Sequence, residues 1–149
     1  MAKAQMMMPD DFLERLSKLG DKSDEISEKV LKAGGEVVLQ KVKSSLSTVI
    51  GKSTKYESRS TGELESSLGL SSVRMDKNGS YNIKVGFAEP RKDGESNAKI
   101  ANIIEYGKHG QPARPFLKPA QNASKSACEA AMMQMFEEEV SKLRACCPI

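Results

Sequence analysis

Residues 73–87 read Val73-Arg74-Met75-Asp76-Lys77-Asn78-Gly79-Ser80-Tyr81-Asn82-Ile83-Lys84-Val85-Gly86-Phe87, and this stretch decides the fold. Val73 and Met75 alternate with polar residues, Asp76–Gly79 supplies turn chemistry, and Tyr81, Ile83, Val85 and Phe87 alternate again. Two period-two runs around an Asn-Gly pair predict an antiparallel hairpin, because the tight hairpin turns need the positive φ that Asn and Gly tolerate. On either side the period changes to 3.6. Upstream, Ile26, Val30, Ala33, Val37, Val38, Val42, Leu46 and Val49 recur at steps of three and four, one face of a long helix that opens near Ser23 and ends at Gly51. Downstream, a helix from about Phe116 to Leu143 carries Leu117, Ala120, Ala127, Ala131, Met135, Phe136, Val140 and Leu143, with Pro119 tolerable in its first turn. Helical and alternating blocks that do not interleave as βαβ units predict an α+β fold: a small antiparallel sheet built on the hairpin, packed by a long N-terminal helix and a long C-terminal helix.

The remaining segments are shorter. Asp10–Leu19 places Phe12, Leu13, Leu16 and Leu19 at helical spacing behind two acids, with Gly20 as the stop. Gly34-Gly35 interrupts the long upstream stripe, so the helix either bends there or lets another backbone come close. Lys52–Ser60 and Glu89–Asn97 are polar and aperiodic, and read as mobile loops that contact partners. Ser60 with Glu63 has capping-box spacing and opens a short helical turn through Leu64 and Leu68. Ile100, Ile103 and Ile104 predict a short helix that stops at Gly107, before an irregular Lys108–Pro115 stretch. The chain reads as one domain over 1–149, with an arm at 1–22, a body at 23–143 and a frayed tail at 144–149.

Composition removes several classes. Lys and Arg number 23 against 20 Asp and Glu, a formal charge of +3, too mild for a chain that coats nucleic acid. Hydrophobic residues are 38%, aromatics 5%, and Trp is absent, which suits a protein that completes its burial against other subunits. No run of about 18 apolar residues exists to span a membrane. The first ten residues lack the apolar stretch of a secretion signal. Cys128, Cys146 and Cys147 are odd in number, with no CxxC or Cys/His cluster, so neither a disulfide framework nor a zinc site is expected.

Isolated motifs have plainer readings. Gly51-Lys52-Ser53 ends like a phosphate-binding loop, but the position needing the first Gly holds Leu46, on a helix stripe. Asp76–Gly79 lacks the later ligands of a calcium loop. His109, the single histidine, sits on a Gly/Pro loop with nothing to build a triad or a two-histidine metal site. Glu137-Glu138-Glu139 reads as a solvated or interfacial face, and Met132, Met133 and Met135 as core or subunit-contact residues. Lys99, Lys108, His109, Arg114 and Lys118, preceded by Arg91-Lys92, form a basic stretch. The alternative function is therefore a small nucleic-acid-binding module using Lys99–Lys118. Glu89, Asp93, Glu95 and Glu105 break up that stretch, and only Tyr106 and Phe116 could stack on bases.

Three blocks in fixed order carry a more specific signal: Thr61-Gly62-Glu63-Leu64-Glu65-Ser66-Ser67-Leu68, then Ala101-Asn102-Ile103-Ile104-Glu105-Tyr106-Gly107, then Ala113-Arg114-Pro115-Phe116-Leu117-Lys118-Pro119-Ala120. Together they resemble the siphophage head–tail joining and tail-completion family, the gene-product-ten-like morphogenesis proteins of long-tailed phages and prophages. The resemblance runs from about Ile26 to Leu143. It implies a structural virion protein without catalytic residues or cofactors, a homo-oligomeric ring (hexameric or dodecameric) at the neck or upper tail. The implied partners are neighbouring neck proteins and the tail terminator or tail tube, with DNA only as passing cargo and no membrane. The implied locations are the virion and, during assembly, the host cytoplasm. The motif residues are Thr61, Gly62, Leu64, Glu105, Tyr106, Gly107, Arg114, Pro115, Phe116, Leu117 and Pro119. Pro115 restricts Arg114 to extended backbone, and Glu105 or the backbone carbonyls of the Gly107–Pro112 loop stand as its expected partner, so the third block reads as a rigid corner between the short helix and the last one.

Overall fold

A computed structural model describes residues 20–51, 61–89, 91 and 94–145. The long upstream stripe forms helix α1 (Ser23–Val49), with Asp24 and Glu25 in the first turn, where the helix dipole favours acids. Backbone is already helical at Gly20 and Asp21 and breaks at Lys22, so Gly20 is not the stop. The Asp10–Leu19 segment and the Lys52–Ser60 loop lie outside the described residues. A short helix, α2 (Glu63–Ser66), comes next. Its N-cap is Gly62 in the left-handed region at φ 75°, with no side-chain cap bond, in place of the expected Ser60 box. Then come four strands, β1 (Leu68–Leu70), β2 (Arg74–Met75), β3 (Tyr81–Asn82) and β4 (Val85–Phe87). Helix α3 (Asn97–Tyr106) and helix α4 (Leu117–Ala145) complete the order. The architecture is α+β, with long helices at both ends of a small antiparallel region.

The hairpin is longer than its sequence signal. Leu68, expected on the helical turn, belongs to β1, which pairs antiparallel with β4 through Leu68↔Phe87, Gly69↔Gly86 and Leu70↔Val85. The Ser71 N–H continues that ladder to the Lys84 carbonyl. Nearer the turn, β2 pairs with β3 through Arg74↔Asn82 and Met75↔Tyr81. Between the two ladders Ser72 and Val73 stand opposite Ile83 alone. That extra residue is a bulge, and it divides one hairpin into two short sheets.

α1 and α4 run antiparallel: Lys29 meets Glu139, Gly34 faces Met132 and Cys128, and Leu46 shares a cluster with Phe116 and Ala120. The hairpin lies along another face of α1, with Leu70 and Ile83 against Gly35 and the Tyr81 hydroxyl bonded to Asp24. The two glycines therefore face side chains and not another backbone. Adjacent positions on a helix point about 100° apart, and each makes room for a different layer of side chains. The core gathers at one end of this arrangement, from Val42, Leu46, Leu64, Leu68, Ala101, Phe116 and Ala120, with Phe87 meeting Phe116 edge-on at 6.4 Å.

On α4 the expected stripe holds in part, with Leu117, Ala131, Met135, Val140 and Leu143 half-buried. Ala120, Ser124 and Glu139 are the buried residues, while Ala127 and Phe136 are exposed. Glu139 thus leaves the solvated acidic run and turns inward, leaving Glu137 and Glu138 outside.

The glycine pair gives a stability test. A Cβ at Gly34 would lie 2.6 Å from Met132 Cγ and 3.1 Å from Cys128 Sγ, whereas at Gly35 the nearest atom is a Leu70 methyl at 3.1 Å. Alanine gains about 1 kcal/mol of helix propensity over glycine, and overpacking costs about 1–3 kcal/mol. Thermal melts should show Gly34→Ala destabilised by up to about 2 kcal/mol, with Gly35→Ala neutral or slightly stabilised. Equal losses at both positions would contradict this packing.

Candidate functional site

The three sequence blocks converge where α2, α3 and the start of α4 meet. α3 opens on Ser96, whose Oγ accepts from the Lys99 N–H at 3.2 Å and donates to Glu89 at 2.8 Å. Glu89 also accepts from the Ala98 N–H at 2.8 Å. These bonds to Ala98 and Ser96 hold the Glu89 carboxyl below its ordinary pKa. Asn97, 1% exposed, donates from Nδ2 to the Ala88 carbonyl at 2.8 Å. Both ends of the Glu89–Asn97 loop are thus tied down. Arg91 within it lies against α2, its Nε 3.4 Å from Glu63 Oε2 and its Nη2 3.4 Å from Thr61 Oγ1. The described part of the loop is therefore anchored at each of these points.

At its other end α3 stops on Gly107, at φ 78°, whose N–H returns to the Ile103 carbonyl. Only glycine fits: a Cβ there would meet the Ala113 nitrogen and the Gln111 carbonyl oxygen, each at 2.8 Å. Lys108 and Gln111 then exchange backbone bonds across a tight turn carrying exposed His109, and the Arg114 N–H reaches back to the Ile104 carbonyl at 2.7 Å. This path delivers Phe116, 0% exposed, into the core.

Glu105, 4% exposed, fixes the start of the last helix. Its Oε2 accepts from the N–H groups of Phe116 at 2.7 Å and Leu117 at 2.9 Å, and its Oε1 from Lys118 at 3.1 Å. The carboxylate so serves as an N-terminal cap for α4, supplied from another helix, where orphan donors and the dipole both favour negative charge. Burial pushes its pKa up, but the three backbone bonds and the nearby Lys118 charge outweigh that and hold it below the ordinary value. The Arg114 guanidinium, expected as the partner, is not among the groups that its oxygens bond; Arg114 is tied into the corner through its backbone.

The other motif residues divide by burial. Leu64 and Phe116 are core, Leu117 packs against it, and Thr61, Gly62, Pro115 and Pro119 are exposed. Tyr106 is 78% exposed. Within the basic stretch Lys99 sits 3.7 Å from Glu95, and Lys118 lies at the helix end that Glu105 caps. Among the described residues no group of His, Cys, Asp and Glu could hold a metal ion, and no helix is long and apolar enough to cross a membrane. Sequence reasoning missed Glu89, Ser96 and Asn97. The signal for Ser96 was present, a serine one position before an apolar-periodic segment, as N-cap statistics favour.

Replacing Glu105 by Gln keeps the shape but exchanges one charged acceptor for an amide that also carries donors. Glu105→Gln should lose about 1–3 kcal/mol at neutral pH. Because the folded pKa is depressed, the carboxylate's contribution is full above the ordinary Glu value and disappears as pH falls through the lower folded one. The gap between wild type and variant, read from denaturant melts, should therefore close as acidification passes below the ordinary Glu range. A pH-independent gap would show that the charge is not what matters.

These rigid features can be set against known proteins. The family model for bacteriophage HK97 gp10, a tail component, matches residues 10–107. No curated protein and no solved structure gives a significant match. The matched span covers the first two blocks and ends on Gly107, at the corner itself, with the Ala113–Ala120 block beyond it. The chain belongs to the HK97-gp10-like family of bacteriophage tail components.

Proposed function

We propose that this phage tail component is a ring-forming connector or tail-completion protein that joins the capsid portal complex to the tail and performs no catalysis. The observation that carries the reading is the set of large apolar side chains left on the outside of an otherwise lean fold. Among the described residues eight hydrophobic side chains make the core, while Met75 is 55% exposed, Tyr106 78%, Met133 64% and Phe136 48%. Met133 and Phe136 stand one turn apart on α4, which makes a shared apolar flank and not two scattered residues. Tyr106 projects from the end of α3, beside the Glu105-capped corner. Apolar groups on stiff elements suit contacts with neighbouring copies, because little ordering entropy remains to be lost on docking.

In this reading the ring is hexameric or dodecameric, sits in the virion neck or upper tail, and assembles in the host cytoplasm. It contacts neighbouring neck proteins and the tail terminator or tail tube, and DNA passes it as cargo. Thr61, Gly62 and Tyr106 face outward as candidate contacts, while Leu64, Glu105, Gly107, Arg114, Pro115, Phe116, Leu117 and Pro119 hold the corner.

Light scattering and negative-stain imaging of the full chain should reveal closed rings. Burying a Met or Phe side chain contributes about 1.5–3 kcal/mol, so Phe136→Ser should weaken self-association by roughly ten- to 150-fold with little change in the subunit's own melting. A chain that stays monomeric at every concentration and shifts DNA in a gel would overturn the connector in favour of the nucleic-acid module.

A further inference from the structure

The two halves of the α1–α4 pair are held by different physics. All the clustered apolar burial lies at the end where α1 finishes and α4 begins. Beyond Gly34, toward the start of α1, the one buried hydrophobic residue among those described is Ile26. On α4 the buried residues past Ala120 are Ser124 and Glu139, both polar. Other apolar side chains there, Val30, Met132, Met135 and Val140 among them, are only half-buried, and an ionic clasp joins the helices at that far end. Glu139, its side chain 9% exposed, receives Lys29 Nζ at 2.8 Å from α1 and Lys142 Nζ at 2.5 Å from its own helix, and Lys29 also holds Glu25 at 2.7 Å.

We propose that the Lys29–Glu139–Lys142 clasp is a latch, and that the outer halves of α1 and α4 open as a unit separate from the core when it is broken, pivoting where Gly34 and Gly35 weaken the helix. Two further observations support the division. Lys142 and Lys29 hold the Glu139 carboxyl below its ordinary pKa, so the clasp is fully charged at neutral pH. The hairpin tip is tied to the same half, through Tyr81 and Asp24 at the first turn of α1, so it moves with that half. Closed, the latch satisfies a buried carboxylate; with the charge removed, Ile26 and half-buried side chains such as Val30, Met132, Met135 and Val140 are the apolar groups left in those halves, without the closed cluster of the other end. A segment of low local stability beside a fixed core is the kind of element that can change shape when a neighbour docks.

Hydrogen exchange of the full chain at neutral pH tests this. In Glu139→Gln, amides in 23–33 and 132–145 should exchange roughly tenfold faster or more, while those in 42–49, 101–106 and 117–124 keep wild-type rates. Lys29→Met should give the same division, and Lys32→Gln, which breaks only the exposed pair with Glu28, should change neither set. Uniform acceleration across both sets, unchanged exchange in the outer set, or failure of Glu139→Gln to fold would each overturn the latch, since the core is held to stand without it.

Discussion

The structure depends on a carboxylate that faces a helix end and not a cation. Glu105 reaches from the last turn of α3 to three successive N–H groups at 116–118. Those donors have no intrahelical partners, so without Glu105 they would need water at a place where Phe116 is fully buried. One residue thus settles three things together: where α4 begins, which way it leaves the core, and how deep Phe116 sits. Phe116 in turn touches Phe87 of the hairpin and shares its cluster with Leu46 and Leu64, so the cap organises contacts on every other layer. Gly107 serves the same corner from the backbone side. Its positive φ folds the chain back tightly enough for Ala113 and Gln111 to occupy the space a side chain would need.

How much of this the sequence disclosed depends on the range of the interaction. The Asn78-Gly79 turn and its alternating flanks are local, and they are enough to specify the hairpin. β1 is not local. Leu68-Gly69-Leu70 is too short for a period-two pattern and comes after a helical signal, so only its pairing with Val85–Phe87 makes it a strand. The bulge at Ser72-Val73 is a mismatch between two registers, and neither strand carries it alone. On α4, periodicity read by itself selected Ala127 and Phe136 for the interior. The partner surface at Gly34 instead turns Cys128 and Met132 inward, and small or ionic residues at Ser124 and Glu139 accept burial that an apolar count would not assign them.

At the corner it was the partner of Glu105 that the sequence misled on. Glu105, Gly107, Arg114 and Phe116 stand where the blocks place them, yet an acid and an arginine close in sequence invite an ion pair. A helix N-terminus competes for the same carboxylate with donors already fixed in direction, whereas a guanidinium must surrender side-chain entropy to reach it. Glu89 repeats the solution at the start of α3 through the Ala98 N–H. Twice, then, this chain begins a helix against a carboxylate held on a neighbouring segment. The arrangement fixes angles between elements, which matters more to a part that must fit an assembly than to one that must bind a small molecule.

That geometry also explains why a lean composition is tolerable. The apolar burial is concentrated at one end, where Glu105, Gly107 and Phe116 meet, and Lys29 pairs with Glu139 at the other. Met75, Met133 and Phe136 remain exposed, so apolar area that a self-sufficient domain would place in its own core is available to a neighbour. Whatever binds the folded subunit stabilises it by mass action, and in the proposed ring each copy supplies that contribution to the next. Stability and assembly then become the same free energy counted on two sides of one interface. In that proposal the exposed methionines, which look like deficits in the isolated chain, are surface for a neighbouring copy to cover.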